Sequence, residues 1–487
     1  MRNLPPFLKI LPLVIVGIML GQMVAIGAWW VAVAALACTA LGYSLRRRWV
    51  GEVYIGLSVV LWALCATEIR TPRHIPQPTS PSELDITITT EPYTVGRWQR
   101  CDASTIIGGR REKIILRADT ALSVALGERG VARGFLNPLP ERSYGSLMSR
   151  RGYIGTLYLT SPHNWHPTDT LHNATLCSRK IQRTLLARID RLGLEPDESG
   201  VVKAMLLGWR GKITPSLRKA YSRSGSSHIL AISGLHVGIV AMVVWWLCWL
   251  LPIVGRRGHL VRNIIASVVM VCYAIICGLS PSVVRATTMF VVAQMALCYG
   301  TSRSVVNILA GAATIMLLVN PNSLFDISFQ LSFVAVVGIV VGMPSASDYF
   351  GEQRGGNLLW RTLLGIVLVG LCSTLATLPL VAHTFSVVSL VGIFINPIVI
   401  LTAEIIVVGG LIWVSLPLEW LHKPFEWIVG GAAQLQNRVV EYAAGLDWAA
   451  LECEVPLWIT LVAYGLMLAG IALAAAWREK KRWKMES

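Results

Sequence analysis

The sequence begins with three apolar runs, each long enough to cross a lipid bilayer. They cover residues 10–26, 27–44 and 51–67. A helix needs roughly 20 apolar residues to span the hydrocarbon, where every backbone polar group must be satisfied within the helix. More runs follow after residue 228, giving about ten to eleven in all. This pattern predicts an α-helical polytopic membrane protein, with some helices broken or re-entrant.

Charged residues are scarce, and their positions predict the orientation. Only 14% of the residues are charged, with a formal net charge of +16, whereas soluble proteins carry about 25% charged residues. Arg46–Arg48 follow the second run, and a basic tail at 478–487 ends the sequence. Lys and Arg are retained in cytoplasmic loops. We therefore expect 1–68 to form three transmembrane helices, with both chain termini in the cytoplasm.

Residues 69–195 form a polar insertion between the membrane segments. Apolar and polar residues alternate at 84–89, 113–116 and 153–159, which is typical of half-buried strands. Three preceding spans from a cytoplasmic N-terminus place this segment outside the cytoplasm. We expect a small β-rich extracytoplasmic domain, for which a barrel is one arrangement.

The insertion is rich in arginine. Because it is predicted to lie outside the cytoplasm, the retention of basic residues in cytoplasmic loops does not explain this excess. Arg97, Arg100, Arg110 and Arg111 are candidates for contacts with a polyanion, and Trp98 is a candidate for stacking on a base. The alternatives are an ordinary solvated surface for the arginines and a packing role for the tryptophan. Both interpretations stay open at this point.

Two cysteines, Cys101 and Cys177, lie in this polar insertion, away from the apolar runs. An oxidising compartment would allow them to form a disulfide. Sequence spacing does not decide between a disulfide and two free thiols.

The chain returns to the membrane over 196–477. Short amphipathic helices are predicted at 200–208 and 217–224, lying at the membrane surface. The apolar stretch 386–416 is interrupted by Asn396-Pro397. Proline removes a backbone donor, so we expect two short half-helices or a re-entrant hairpin there.

The stretch SSHILAISGLHVG, residues 226–238, combines polar side chains with the start of an apolar run. If it is helical, Ser233 and His236 are neighbours and His228 lies on the same broad side. Gly234 and Gly238 form a G-x-x-x-G pattern, which predicts a close seam with another helix.

Other polar residues lie near the ends of later apolar runs. Arg285 follows Pro281 by one turn, while Asp326 and Gln330 are four residues apart. The predicted topology places these residues and His228 at one depth, as in an outward-facing polar vestibule. The alternatives are buried structural ties, such as Arg285 with Asp326, or a Ser233–His236–Asp326 hydrolytic triad.

Several chemical signatures are missing from the sequence. It contains no G-x-x-x-x-G-K-[ST] loop, no H-E-x-x-H, no C-x-x-C and no H-x-H-x-D-H cluster. His163 and His166 alone are a poor basis for a metal site. We therefore expect no cofactor, no metal and no enzymatic activity.

Three motifs together resemble the ComEC competence protein family. They are residues 226–238, Pro281–Ala286 and Asp326–Ala335, with Asn396-Pro397 as a further matching position. The resemblance is strong over most of 200–400, and it extends to the leading spans and to the insertion, which in this family is similar to an OB-fold.

The resemblance implies a multi-pass channel of the bacterial inner membrane that admits single-stranded DNA during natural transformation. It assigns His228, Ser233, His236, Arg285, Asp326, Gln330 and Asn396 to the channel core. The family's metallo-β-lactamase-like domain has no counterpart here, which implies a separate nuclease or a shorter variant. Other implied partners are lipid, an outer DNA receptor and a cytoplasmic motor or single-strand-binding protein. A transporter or flippase for another anionic polymer or lipid is the alternative.

Overall fold

The computed structural model describes residues 5–470 with short gaps. The gaps are 24–26, 46–48, 71–81, 91, 108, 123, 141–144, 146–147, 150–151, 171–173, 212, 231, 251–255, 300–303, 351–357 and 417–418. The predicted basic cluster at 46–48 and the predicted tail at 478–487 therefore lie outside the described residues. The chain divides into two compact units, which comprise Met1–Thr184 with Val291–Asp326, and Leu185–Phe290 with Ile327–Ser487.

The first unit contains the three leading helices, at the positions predicted from the apolar runs. They are α1 (Pro6–Met23), α2 (Ala28–Ser44) and α3 (Trp49–Arg70). Polar contacts join α1 to a later part of the same unit: the amide of Phe7 donates to Asn307 Oδ1 at 3.0 Å. Gln22 likewise donates to Asn322 Oδ1 at 3.2 Å. These bonds satisfy amide groups that would otherwise be unpaired in an apolar environment.

The polar insertion folds as a β-sheet, which confirms a sheet domain between the membrane segments. Its strands are β1 (Ser82–Ile88), β2 (Tyr93–Val95), β3 (Trp98–Ile107), β4 (Arg110–Asp119), β5 (Glu128–Gly134), β6 (Leu136–Pro138), β7 (Tyr153–Leu159) and β8 (Trp165–Thr170). The order is β6-β7-β4-β3-β1-β5-β8, with β2 on β3. Only the β4–β7 pair is parallel among the described pairings. Closure into an OB-like barrel stays a prediction.

One face of this sheet forms an apolar core that includes Cys101, which is 1% exposed. Burial raises the pKa of the Cys101 thiol to about 12. Cys177 lies on the exposed surface of α4 (Ala174–Asp190), and both thiols are free. The disulfide is therefore not formed, because strand alternation turns Cys101 toward the sheet core.

The second unit is helical. Its elements are α5 (Pro196–Leu207), α6 (Pro215–Arg223), α7 (Gly234–Trp249), α8 (Arg256–Ile276), the first part of α9 (Pro281–Tyr299), α11 (Ile327–Phe350), α12 (Leu358–Phe385), α13 (Gly392–Ser415), α14 (His422–Phe425), α15 (Gly431–Ala444) and α16 (Leu457–Gly470). Helix α10 (Val305–Val319) belongs to the first unit. A two-stranded sheet joins β9 (Val387–Ser389) to β10 (Ala450–Glu452).

Helix α5 differs from its predicted placement at the membrane surface. All of its residues from Ser199 to Leu207 are buried. It packs on α13 and α15. Its one internal cation, Lys203, pairs with Asp190 and lies over the ring of Trp209. The sequence alternates small and apolar residues on all sides of this helix, which is the pattern of a core helix.

Helix α13 is continuous through Asn396 and Pro397, so the predicted break or re-entrant hairpin is wrong. The chain breaks earlier, where β9 and a turn precede Gly392. Pro397 lies near the N-terminal end, where losing one backbone hydrogen bond does not prevent the long apolar remainder from continuing as a helix.

Six described helices have the length and composition to cross a membrane. They are α1, α3, α8, α9, α12 and α13, and five shorter apolar helices are α2, α7, α10, α11 and α16. The prediction of a mostly helical membrane protein is confirmed at this level. The number of crossings and their direction stay predictions.

Candidate functional site

The predicted polar stretch 226–238 contains a turn followed by a helix start. Helix α7 begins at Gly234, and Ser233 is its N-cap. The amide of His236 donates to Ser233 Oγ, and the amide of Ser233 donates to His236 Nδ1, both at 3.3 Å. His228 therefore lies in the turn before α7, and the predicted shared helical face with His236 is wrong. The reciprocal cap fixes the helix start after residue 233.

The two histidines use their ring nitrogens differently. His236 is 1% exposed, and its Nδ1 accepts the Ser233 amide, so a neutral ring carries its proton on Nε2. His228 is exposed, and its Nδ1 lies 3.2 Å from the carbonyl oxygen of Gly225, which fits a proton on Nδ1. The Nδ1 atom of His236 thus accepts a hydrogen bond from the Ser233 amide. It is therefore not available as a general base for the Ser233 hydroxyl.

The turn before α7 is held tightly against the start of α13. Ser226 Oγ donates to Asn396 Oδ1 at 3.2 Å. Gly225 has φ of 75°, and a Cβ there would lie 2.7 Å from the Cβ of Ser389. A Cβ on Gly392 would lie 2.9 Å from the carbonyl oxygen of Ser224. These contacts explain why two glycines are needed where the backbones meet.

Asn396 also faces a narrow cleft between α12 and α13. The cleft has a volume of about 40 Å³, and its lining includes Thr374, Asn396 and Pro397. Ligand pockets usually measure about 300–1,000 Å³. The cleft thus has room for water but not for a nucleotide, so passage of any polymer here requires α12 and α13 to separate.

Arg285 is buried in the second turn of α9, with 4% of its surface exposed. Its Nη2 donates to Ser328 Oγ in α11 at 3.0 Å. Gln330 lies two residues after Ser328 in α11, and Asp326 immediately precedes that helix. Arg285 and Asp326 belong to different units, and their predicted convergence stays a prediction. A buried guanidinium in an apolar helix is energetically expensive, which favours a functional role.

Helix α9 carries two further buried polar groups that the sequence did not single out. Thr287 is 5% exposed and Gln294 is 7% exposed, and they lie seven residues apart on one helical face. Thr287 Oγ1 and Gln294 Oε1 have no hydrogen-bond partner among the described residues. Buried polar atoms of this kind are usually satisfied by water. This face could have been found from the i, i+7 spacing of polar residues.

The predicted seam at Gly234 and Gly238 does not form within the described chain. Both residues are exposed, and no described atom lies within 4 Å of a Cβ built on either. The stretch begins a helix whose packed face is formed by other residues, including His236, Val237 and Val240. The G-x-x-x-G pattern marks the opposite, open face.

In the sheet domain, three of the predicted nucleic-acid residues lie beside Arg117, another arginine of the insertion, and Tyr158, which the sequence analysis missed. Arg100 pairs with Arg117 across β3 and β4, and Arg117 pairs with Tyr158 across β4 and β7. Trp98 meets Tyr158 edge to face, with ring centroids 5.5 Å apart. We call Arg97, Trp98, Arg100, Arg117 and Tyr158 the aromatic–arginine cluster.

The cluster has the composition of a surface that binds single strands. The guanidinium of Arg97 lies 4.8 Å from the Trp98 ring centroid, and that of Arg117 lies 5.6 Å from the Tyr158 centroid. Aromatic rings stack on bases while arginines contact phosphates and also stack on rings. Arg97 occupies one face of the Trp98 ring, so a base would stack there only after displacing it.

Arg110 and Arg111 are separated from this cluster. They pair with Ile107 and Ile106 at the far end of the β3–β4 hairpin. At about 3.3 Å per strand residue, Arg111 lies about 20 Å along β4 from Arg117. The predicted set therefore divides into two groups, at opposite ends of the same strands.

Metal chemistry has no visible donor set in the described part of the chain. No group of three or more His, Cys, Asp or Glu side chains is arranged there to hold an ion.

Comparison with known proteins places these motifs in a family. The family model described as "Competence protein" matches residues 205–478, which is more than half of the chain. ComE operon protein 3 of Bacillus subtilis (strain 168) is 30% identical over 209 residues, covering 42% of this chain and 25% of that protein. No solved structure matches.

Two other relatives match parts of the chain. Competence protein ComA of Neisseria gonorrhoeae is 23% identical over 325 residues, covering 63% of this chain and 46% of that protein. An uncharacterized protein of Aquifex aeolicus (strain VF5) is 28% identical over 197 residues, covering 40% and 42% respectively. The matches thus span less than half the length of each relative. The family match over 205–478 nevertheless includes α7, Arg285, Gln330 and Asn396, and the chain belongs to the competence protein family.

Proposed function

We propose that this protein is an inner-membrane channel that passes single-stranded DNA into the cytoplasm during natural transformation. The observation that carries the proposal is the buried Arg285 guanidinium, bonded to Ser328 inside a unit built largely of apolar helices. A cation held at such expense suits the passage of a polyanion. The match to the competence protein family and the relative named competence protein ComA support the same role.

The aromatic–arginine cluster supports a strand-capturing role for the sheet domain. Its stacking rings and guanidinium groups fit unpaired bases and phosphates, whereas a duplex hides its bases. In the predicted topology this domain lies outside the cytoplasm and meets the strand first. The narrow cleft beside Asn396 then represents a closed state that opens during passage.

The driving force and the degradation of the second strand come from other proteins. A cytoplasmic motor or single-strand-binding protein, an outer receptor and a separate nuclease are the partners proposed for those steps. The alternative cargo is another anionic polymer or lipid. Passage of such a cargo would also require Arg285, but it would not require the stacking rings of Trp98 and Tyr158.

The test is uptake of labelled duplex DNA by cells that lack the protein. We expect label to reach the outer side of the inner membrane and to stop there. Restoring the chain should restore entry, while Arg285→Gln, expressed at the same level in the membrane, should not. Entry at the normal rate without the protein would reject the channel, and a defect in lipid or polymer export with normal uptake would favour the alternative cargo.

A further inference from the structure

Helix α6 presents cations on one face and packs with the other. Arg218, Lys219 and Arg223 are exposed, whereas Leu217 and Tyr221 are buried. We call the three cations the α6 basic face. No described carboxylate lies within 4 Å of any of them. Such a face needs either solvent counterions or an anionic partner.

The helix is anchored firmly from its buried side. Tyr221 donates to Asn437 Oδ1 at 2.9 Å and accepts from Gln436 Nε2 at 2.9 Å. Gln436 in turn accepts from Thr402 Oγ1 at 3.0 Å. This chain of bonds ties α6 to α15 and α13. The basic face therefore projects from a rigid element, which favours a defined binding surface over a flexible solvated one.

The charge around α6 is one-sided in the sequence as well. No Asp or Glu occurs from residue 199 to residue 325, although Lys and Arg recur throughout. The preceding loop adds Arg210, whose pKa is lowered by partial desolvation and by the nearby charge of Arg218. Asp197 accepts a hydrogen bond at 3.2 Å from the hydroxyl of Thr214, the N-cap residue of α6.

The position of α6 connects it to the family motif. The helix ends at Arg223, and the turn with Gly225 and Ser226 follows at once. In the predicted topology α6 lies on the outer side of the membrane, where retention of cations in the cytoplasm does not account for its charge.

We propose that the α6 basic face, with Arg210, binds the phosphodiester backbone of the incoming single strand and delivers it to the turn before α7. This inference rests on the proposed channel function and adds a binding site to it. The ligand chemistry is phosphate, with no base recognition from α6 itself. An anionic lipid headgroup is the competing source of phosphate.

The experiment measures binding of a fluorescent single-stranded oligonucleotide to the full chain in nanodiscs of uncharged lipid, over a series of salt concentrations. Each phosphate contact with a single strand contributes about 0.7 to the slope of log affinity against log salt. Replacing Arg218, Lys219 and Arg223 with Gln should therefore lower the slope by about 2. The control removes three other exposed cations: Lys180→Gln, Lys423→Gln and Arg438→Gln.

Further variants separate the outcomes. Arg218→Lys with Arg223→Lys keeps the charge and should keep the slope. If the triple Gln variant has the same salt slope as its control, the α6 site is wrong. If Trp98→Ala still weakens oligonucleotide binding in that case, the proposed channel function is retained without the α6 site. If the wild-type chain binds no oligonucleotide, the proposed function fails together with the site. If the triple variant binds the oligonucleotide as the wild type does and loses only its binding of phosphatidylglycerol in the nanodisc, the surface is a lipid site and the inference is overturned.

Discussion

The hydroxyl of Ser226 donates a hydrogen bond to Oδ1 of Asn396, 3.2 Å away and 170 residues later in the chain. The bond joins the turn before α7 to the first part of α13. Both residues lie inside the segment matched by the competence family. Beside it, Asn396 faces the cleft between α12 and α13. The bond therefore holds the family motif against the helix that must move if the cleft opens.

We expect Ser226→Ala and Asn396→Ala each to lower the free energy of unfolding by about 1 kcal/mol, because each leaves the other polar group without its partner. The double variant should lose clearly less free energy of unfolding than the sum of the two single losses, because both substitutions remove the same hydrogen bond. Thermal or chemical unfolding of the purified chain in detergent measures this. Strictly additive effects would mean that the two groups do not interact.

A methyl group at Gly392 should destabilise the protein by about 1–3 kcal/mol, because it would press on the carbonyl oxygen of Ser224. Gly238→Ala is the matched control, since its Cβ meets no described atom. Alanine there should be neutral or should stabilise α7 by up to about 1 kcal/mol. Unfolding and expression level compare the two variants. A loss of stability for Gly238→Ala would support the close helix contact predicted from the G-x-x-x-G pattern.

Removing either ring of the aromatic–arginine cluster should weaken binding of single strands. Base stacking contributes about 1–3 kcal/mol per base, so Trp98→Ala or Tyr158→Ala should reduce affinity by about 5- to 150-fold. Ile106→Ala removes an exposed apolar side chain at the far end of β3, away from the cluster, and serves as the control. Fluorescence anisotropy with an oligonucleotide lacking secondary structure measures the change. If the wild type and the three variants bind with equal affinity, Trp98 is a packing residue and does not stack on a base.

Cysteine labelling tests both the free thiols and the orientation of the sheet domain. A membrane-impermeant maleimide applied to intact spheroplasts should modify Cys177, which is exposed. Cys101 should stay unmodified, since burial raises the pKa of its thiol to about 12 and keeps it protonated. Peptide mass spectrometry reports each site. Labelling of Cys177 only after the membrane is opened would place the domain in the cytoplasm.

Sequence patterns were sufficient to predict the elements whose signals are local. The apolar runs at 10–26, 27–44 and 51–67 correspond to α1, α2 and α3, and the alternation after residue 82 corresponds to the strands of the sheet. Membrane helices and strands are set by periodicity over a few turns or residues. The membrane class of the chain followed from the same runs.

Contacts that depend on capping or on pairing between distant segments could not be predicted in this way. The start of α7 depends on the reciprocal bonds of Ser233 and His236, which place His228 outside the helix. Tyr158 joins Trp98 only because β7 pairs in parallel with β4. The same pairing register carries Arg110 and Arg111 away from Arg100. Helix α5 is a different case: it was predicted to be an amphipathic surface helix, although its small and apolar residues on all sides have the pattern of a core helix.

We propose that a single strand passes through the second unit beside Asn396. Photo-crosslinking tests it directly, with a photoreactive amino acid in place of Thr374, which lines the cleft. The control position is Met242, which is 64% exposed on α7. In cells importing labelled DNA, irradiation should attach the single strand to the protein at position 374 and not at position 242. Normal import with no DNA attached at position 374 would rule out passage of the strand beside Asn396.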